Sequence, residues 1–129
     1  MNFDSMLTQD ERREIEEKIK SIEAKAHTRI VIQVVKSHKA NLFDEAVKHF
    51  SKHRLHHDKT KTGILILISV ESRQFQILGD QDIHEKITEG GWNRLATSLS
   101  EFFKAEKFYE GLIALLDDLE KHLSTHFAK

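Results

Sequence analysis

Between Gly63 and Gly79 the order of apolar and polar residues changes character halfway. Ile64 to Val70 is an almost unbroken apolar run, the pattern of a strand buried on both faces. Arg73 to Ile77 alternates polar and apolar, the period of a strand with one wetter face. Glu71 and Ser72 between them are short and polar, which predicts a tight hairpin. In that hairpin Gly63 and Gly79 lie side by side at one edge of the sheet. The remaining elements are expected to be covering helices and one further strand.

Thr8-Gln-Asp-Glu11 has the form of a capping box, in which hydroxyl and carboxylate each satisfy a free amide. The helix it opens carries Ile15, Ile19, Ile22 and Ala26 as one apolar stripe. Thr28 to Val35 is short and β-branched, hence a strand. After a polar loop, Lys36 to Ala40, Asn41 can cap a helix whose expected buried stripe is Phe43, Ala46, Val47 and Phe50. Strand, helix and the strand at Gly63 make a βαβ unit with a right-handed crossover. With the hairpin it predicts a small mixed sheet. Asp80 to Gly91 is acidic and ends in two glycines, so it is expected to be a loop with one short helical turn. Trp92 to Lys104 and Phe108 to Phe127 have helical spacing, the latter through Leu112, Leu115, Leu116, Leu119 and Leu123. The fold class is therefore α/β, helices covering a small mixed sheet, in one domain of 129 residues.

Composition narrows the function. Lys plus Arg is 20 and Asp plus Glu is 21, so no global field attracts nucleic acid or anionic lipid. The absence of cysteine excludes disulfides, thiolate zinc sites and cysteine nucleophiles. The N-terminus has no basic segment followed by an apolar core, and no apolar run approaches the roughly 20 residues that span a bilayer. The chain is expected to be a soluble, cytoplasmic monomer without a membrane or nucleic-acid partner.

Several phrases, in their order and spacing, carry a resemblance. They are Thr28-Arg-Ile-Val-Ile-Gln-Val-Val35, Thr62-Gly-Ile-Leu-Ile-Leu-Ile-Ser69, Arg73-Gln-Phe-Gln-Ile-Leu-Gly-Asp80, Ile87-Thr-Glu89 and Phe108-Tyr-Glu-Gly-Leu112. Together they resemble the TPM domain, a family catalogued as a domain of unknown function, over roughly residues 10 to 125. The likeness is to its short bacterial members without a signal peptide or anchor. His57-Asp-Lys-Thr60, Gly79-Asp80, Ile83-His84 and Gly91-Trp92 stand in corresponding places. The resemblance implies an α/β/α sandwich, divalent-metal binding in some members, and a weak acid-phosphatase-like activity in a thylakoid relative. This chain departs from the pattern at Lys61, where an acidic residue is common, at Thr62 for Asn, and at Glu89 for Asp.

Candidate chemistry centres on the hairpin's glycine edge. Antiparallel pairing brings the residues before Gly63 near those after Gly79, so Asp58, Asp80, Asp82 and Glu89 can gather there. Carboxylates on loops suit Ca²⁺ or Mg²⁺. The competing reading is a solvated loop with Asp82 as the N-cap of the next helix. An aspartyl phosphotransfer loop fits poorly: Gly79 intervenes after the strand, and Ile83-His84 stand where Thr or Val is wanted. His49 and His53, followed by His56, His57 and Asp58, have spacing for Zn²⁺ or Ni²⁺. They are expected on the outer face of their helix among Lys48, Lys52 and Arg54, which repel a cation. Lys52, Arg54, Lys59 and Lys61 read as solvated surface, and Trp92, Phe102 and Phe103 as core. No nucleophile elbow, phosphate-binding glycine loop, dinucleotide fingerprint or zinc-protease helix is present. Two functions remain. One is weak divalent-metal binding at the glycine edge, with any phosphatase activity minor. The other is a non-catalytic module that binds a protein partner.

Overall fold

The computed structural model describes residues 6–55 and 61–129. Its elements are α1 (Gln9–Lys25), β1 (Arg29–Val35), α2 (Leu42–Lys52), β2 (Gly63–Ser69), β3 (Gln74–Gly79), α3 (Gln81–Lys104) and α4 (Phe108–His126). The strands form one sheet in the order β1-β2-β3. β1 runs parallel to β2, and β3 runs antiparallel to it, as the βαβ unit and hairpin predict. Every residue of β2 is buried, the consequence of a central strand covered on both faces. Ile64, Ile66 and Ile68 meet the side chains of α1, α3 and α4 on one face, among them Ile22, Ile87, Leu99 and Leu116. Leu65 and Leu67 meet Ala46, Phe50 and Leu55 on the other. The protein is thus an α/β/α sandwich, three helices on one face and one on the other.

Local rules hold at the ends of elements. Thr8 and Glu11 close the capping box on α1, and Asn41 caps α2 through the Asp44 amide at 2.8 Å. The hairpin differs slightly from expectation. Four residues, Val70 to Arg73, make the turn, and Arg73 has φ 53°. α1 and α4 are clasped along their length. Lys18 sits between Asp117 at 2.6 Å and Glu120 at 3.0 Å, and hydrogen bonding to both carboxylates raises its pKa. The Tyr109 hydroxyl donates to Glu14. The His27 amide donates to the Phe127 carbonyl at 2.8 Å, which seals the far end.

Two expectations fail. The segment after Gly79 is helical, and α3 begins at Gln81. Ile83, Ile87, Gly91, Leu95 and Leu99 recur every four residues on its buried face. The helix is interrupted once, at Thr88, with φ 68° and ψ 161°. That region is costly for a β-branched residue, by about 1–3 kcal/mol. Thr88 offsets part of the cost by capping the restarted helix, its hydroxyl accepting from the Gly91 amide at 3.3 Å.

The second failure is the face of α2. Ala46 and Phe50 are buried, but Phe43 is 53% exposed and Val47 is 42% exposed. The inner face instead carries His49 and His53, not the outer face assigned to them above. His53 Nε2 lies 2.9 Å from the Gln33 Oε1 of β1. His49 is largely buried, with Nε2 4.0 Å from Glu45 and Nδ1 without a partner among the described residues.

Candidate functional site

The hairpin register runs past the end of β3. Ile64 opposes Gly79, and the Asp80 amide donates to the Gly63 carbonyl at 2.8 Å. The Asp82 amide donates to the Lys61 carbonyl at 3.0 Å. These two bonds carry the ladder into the first turn of α3. The residues before Gly63 and after Gly79 therefore share one rim, as the hairpin argument requires.

Glycine is needed at position 79 because α3 crosses it closely. A Cβ there would lie 2.8 Å from Trp92 Cζ2 and 2.9 Å from Ile83 Cγ2. Trp92 is half-buried over this glycine, and the His84 ring stacks on it at 6.1 Å. On the other side of the rim, Thr62 is fully buried. Its hydroxyl donates to the His27 carbonyl, and the Thr28 hydroxyl donates to the Thr62 carbonyl at 2.8 Å. This exchange ties the start of β1 to the start of β2. Position 62 thus has a structural task here, which sequence pattern alone did not reveal. The role of Trp92 as a wall of the rim was also missed; the signal available was a large aromatic thirteen residues after a strand-terminal glycine.

Asp80, not Asp82, caps α3: its Oδ1 accepts from the Gln81 amide at 2.8 Å. Its Oδ2 is buried and has no hydrogen-bond partner among the described residues. Asp82 follows in the first turn and is partly exposed. Glu89 lies beyond the break at Thr88, seven residues after Asp82 in the chain. Asp58, with His56, His57 and Lys59, lies outside the described residues. Among the described residues, no three Asp, Glu or His side chains converge into a set that could hold a metal ion. Lys52, Arg54 and Lys61 are exposed, as expected of solvated surface. No helix among the described residues is long and apolar enough to cross a membrane.

Comparison with known proteins agrees with this architecture. The chain is similar to the NMR structure of BA42 protein from the psychrophilic bacterium Bizionia argentinensis. The TM-score is 0.87 and the identity 25%, over 95% of this chain and 84% of that one. It is also similar in fold to the N-terminal domain of a protein from P. gingivalis, with TM-score 0.76 and 16% identity over 92% of this chain and 79% of the other. The N-terminal domain of cg2496 protein from Corynebacterium glutamicum gives TM-score 0.73 and 12% identity, over 96% and 78%. No curated protein matches the chain. The sequence profile of the TPM domain matches residues 1–122, nearly the whole chain, and with the phrases and the sandwich described above it places this protein in the TPM domain family.

Proposed function

We propose that the rim between Lys61 and Asp82 is the working edge of the domain and that it binds Ca²⁺ or Mg²⁺ weakly. The observation that supports this reading is the Asp80 Oδ2 atom, buried without a partner among the described residues. A carboxylate oxygen withdrawn from water and left unpaired is costly, and a cation relieves that cost. Asp80 and Asp82 are the proposed ligands. Asp58, three residues before Lys61 in the chain, is the proposed third. Glu89, farther along α3, contributes negative field rather than a bond.

The same site explains why binding would be weak. The N-terminus of α3 carries partial positive charge, which opposes a cation beside Asp80. With few ligands and that field, affinity falls in the range of about 10⁻⁴–10⁻³ M. A bound cation would supply the Lewis acid for phosphomonoester hydrolysis, read here as a minor, metal-dependent activity.

The test uses amide spectra of isotope-labelled protein titrated with CaCl₂ or MgCl₂. Saturable shifts confined to residues 79–91 and to the chain around Asp58 and Lys61 are expected. Asp80→Asn should abolish them, since Asn keeps the helix cap and removes the charge. Absence of saturable shifts at millimolar metal would remove the proposal.

A further inference from the structure

The two faces of the sheet are held unequally. On one, α1, α3 and α4 bury a large apolar cluster against Ile64, Ile66 and Ile68. On the other, α2 is the single helix among the described residues, and its buried side chains are Ala46 and Phe50. The rest of its inner face is polar. Glu45, His49 and His53 follow at four-residue spacing and form one row along the helix. All three are partly buried. His53 is satisfied by Gln33 at 2.9 Å. His49 is not: its Nε2 lies 4.0 Å from Glu45, too far for a hydrogen bond, and its buried Nδ1 has no partner among the described residues. A segment with so few apolar contacts is the one expected to open first.

The protonation state of His49 decides how well it fits this seam. A neutral imidazole has one N–H and one bare lone pair. With the N–H on Nε2, toward Glu45, the orphan Nδ1 is an uncharged acceptor. Protonation places a second N–H on Nδ1, where no described acceptor waits, and puts a full charge between helix and sheet. The surroundings do not offset that charge. Burial disfavours it, Glu45 attracts it, and Lys52, His53 and Lys48 oppose it. By strand alternation the only charged strand residue on this face of the sheet is Arg29, exposed at the start of β1 and also a cation. His56 to Lys59, which follow the helix, lie outside the described residues.

We infer that protonation of His49 releases α2 from the sheet as a unit while α1, α3 and α4 stay in place, so that the helix is an acid-sensitive cover over Leu65 and Leu67. The joints lie at its two ends. Arg54, at φ 58°, stops the helix, and Leu55 beyond it is fully buried against Gly63, an anchor separate from the helix face. Before the helix, the polar loop from Lys36 to Ala40 supplies slack. The open form binds the proton more readily than the closed one. Opening therefore increases as pH falls through about 6.5 and levels off below the lower pKa of the closed form. This inference does not depend on the cation proposal.

The test is native-state amide hydrogen exchange of the intact chain, corrected for intrinsic rates, at about pH 7.5 and about pH 5.5 and over a range of low urea concentrations. The α2 amides should open at least about tenfold more often than those of Leu116 and Leu119 in α4, with a shallower urea dependence, because less surface is exposed. Their opening constant should rise about fivefold to tenfold on acidification. His49→Leu should reduce that rise to less than about twofold. His49→Gln, neutral and polar, serves as the second variant should His49→Leu disturb the fold. The inference is overturned if α2 and α4 share one opening constant and one urea dependence, since the helix then leaves only on global unfolding. It is overturned equally if α2 opening is independent of pH, or if the rise survives in the His49 variants.

Discussion

Gly79→Ala probes the joint between the hairpin and α3. The added methyl would sit 2.8 Å and 3.0 Å from two ring atoms of Trp92 and 2.9 Å from Ile83 Cγ2. None of these atoms is the end of a flexible chain. One belongs to a β-branched side chain and two to a rigid indole, so relief requires α3 to move off the sheet. Overpacking of this kind costs about 1–3 kcal/mol. Taking about 2 kcal/mol, and a Tm sensitivity of roughly 3–5 °C per kcal/mol for a chain of this size, the variant should melt roughly 6–10 °C lower. Urea unfolding followed by fluorescence measures the loss directly, since Trp92 is the only tryptophan and lies at the contact. Trp92→Leu should relieve much of the penalty, so in urea unfolding followed by circular dichroism, which does not need the tryptophan, the double mutant should be less destabilised than the sum by about 1 kcal/mol. A Tm within about 1 °C of the parent, with unchanged emission, would refute the packing of α3 on Gly79.

Two further outcomes follow from α2. Burial lowers the pKa of His49, and the charges of Lys52, His53 and Lys48 act in the same direction against the opposing pull of Glu45. The unfolded chain therefore binds this proton more readily. The His49 contribution to stability is fully present above the ordinary histidine pKa of about 6.5 and is lost as pH falls through that value toward the lower folded one. Denaturation curves between pH 5 and pH 8 (values chosen to bracket about 6.5) should show a shallower loss on acidification for His49→Leu than for the parent; equal slopes would contradict it. Phe43→Ser should change stability by less than about 0.5 kcal/mol, because the ring is more than half exposed. A loss above about 2 kcal/mol by thermal melting would show that the ring belongs to the core after all.

The sheet was readable because β2 is buried on both faces, which makes its residues apolar almost without exception. The run from Ile64 to Val70, its alternating neighbour and the β-branched segment at Ile30 fix the strand order once the crossover rule is applied. Helix faces were harder. On α2 the stripe Phe43, Ala46, Val47 and Phe50 has the right spacing, yet half of it misses the core. Phe43 borders the open groove beside β3, while Gln33 on β1 gives His53 a polar partner inside. Periodicity records which residues share a side, not where the sheet beneath them ends. On α3, two glycines and an acidic run suggested a loop. The four-residue spacing of Ile83, Ile87, Gly91 and Leu95 outweighs that, and Gly91 leaves room for the Ile87 side chain of the preceding turn, whose Cγ2 a Cβ there would meet at 2.9 Å. At the rim, the hairpin correctly brought Lys61 and Asp82 together. The capping role went to the wrong aspartate because the ladder continues one pair beyond Gly79.

The most direct test of the proposed working edge is a structure determined in millimolar CaCl₂. The account predicts an ion within about 2.3–2.6 Å of Asp80 Oδ2, with Asp82 and Asp58 supplying further oxygens. No ion at the rim, under conditions that saturate millimolar sites, would contradict it.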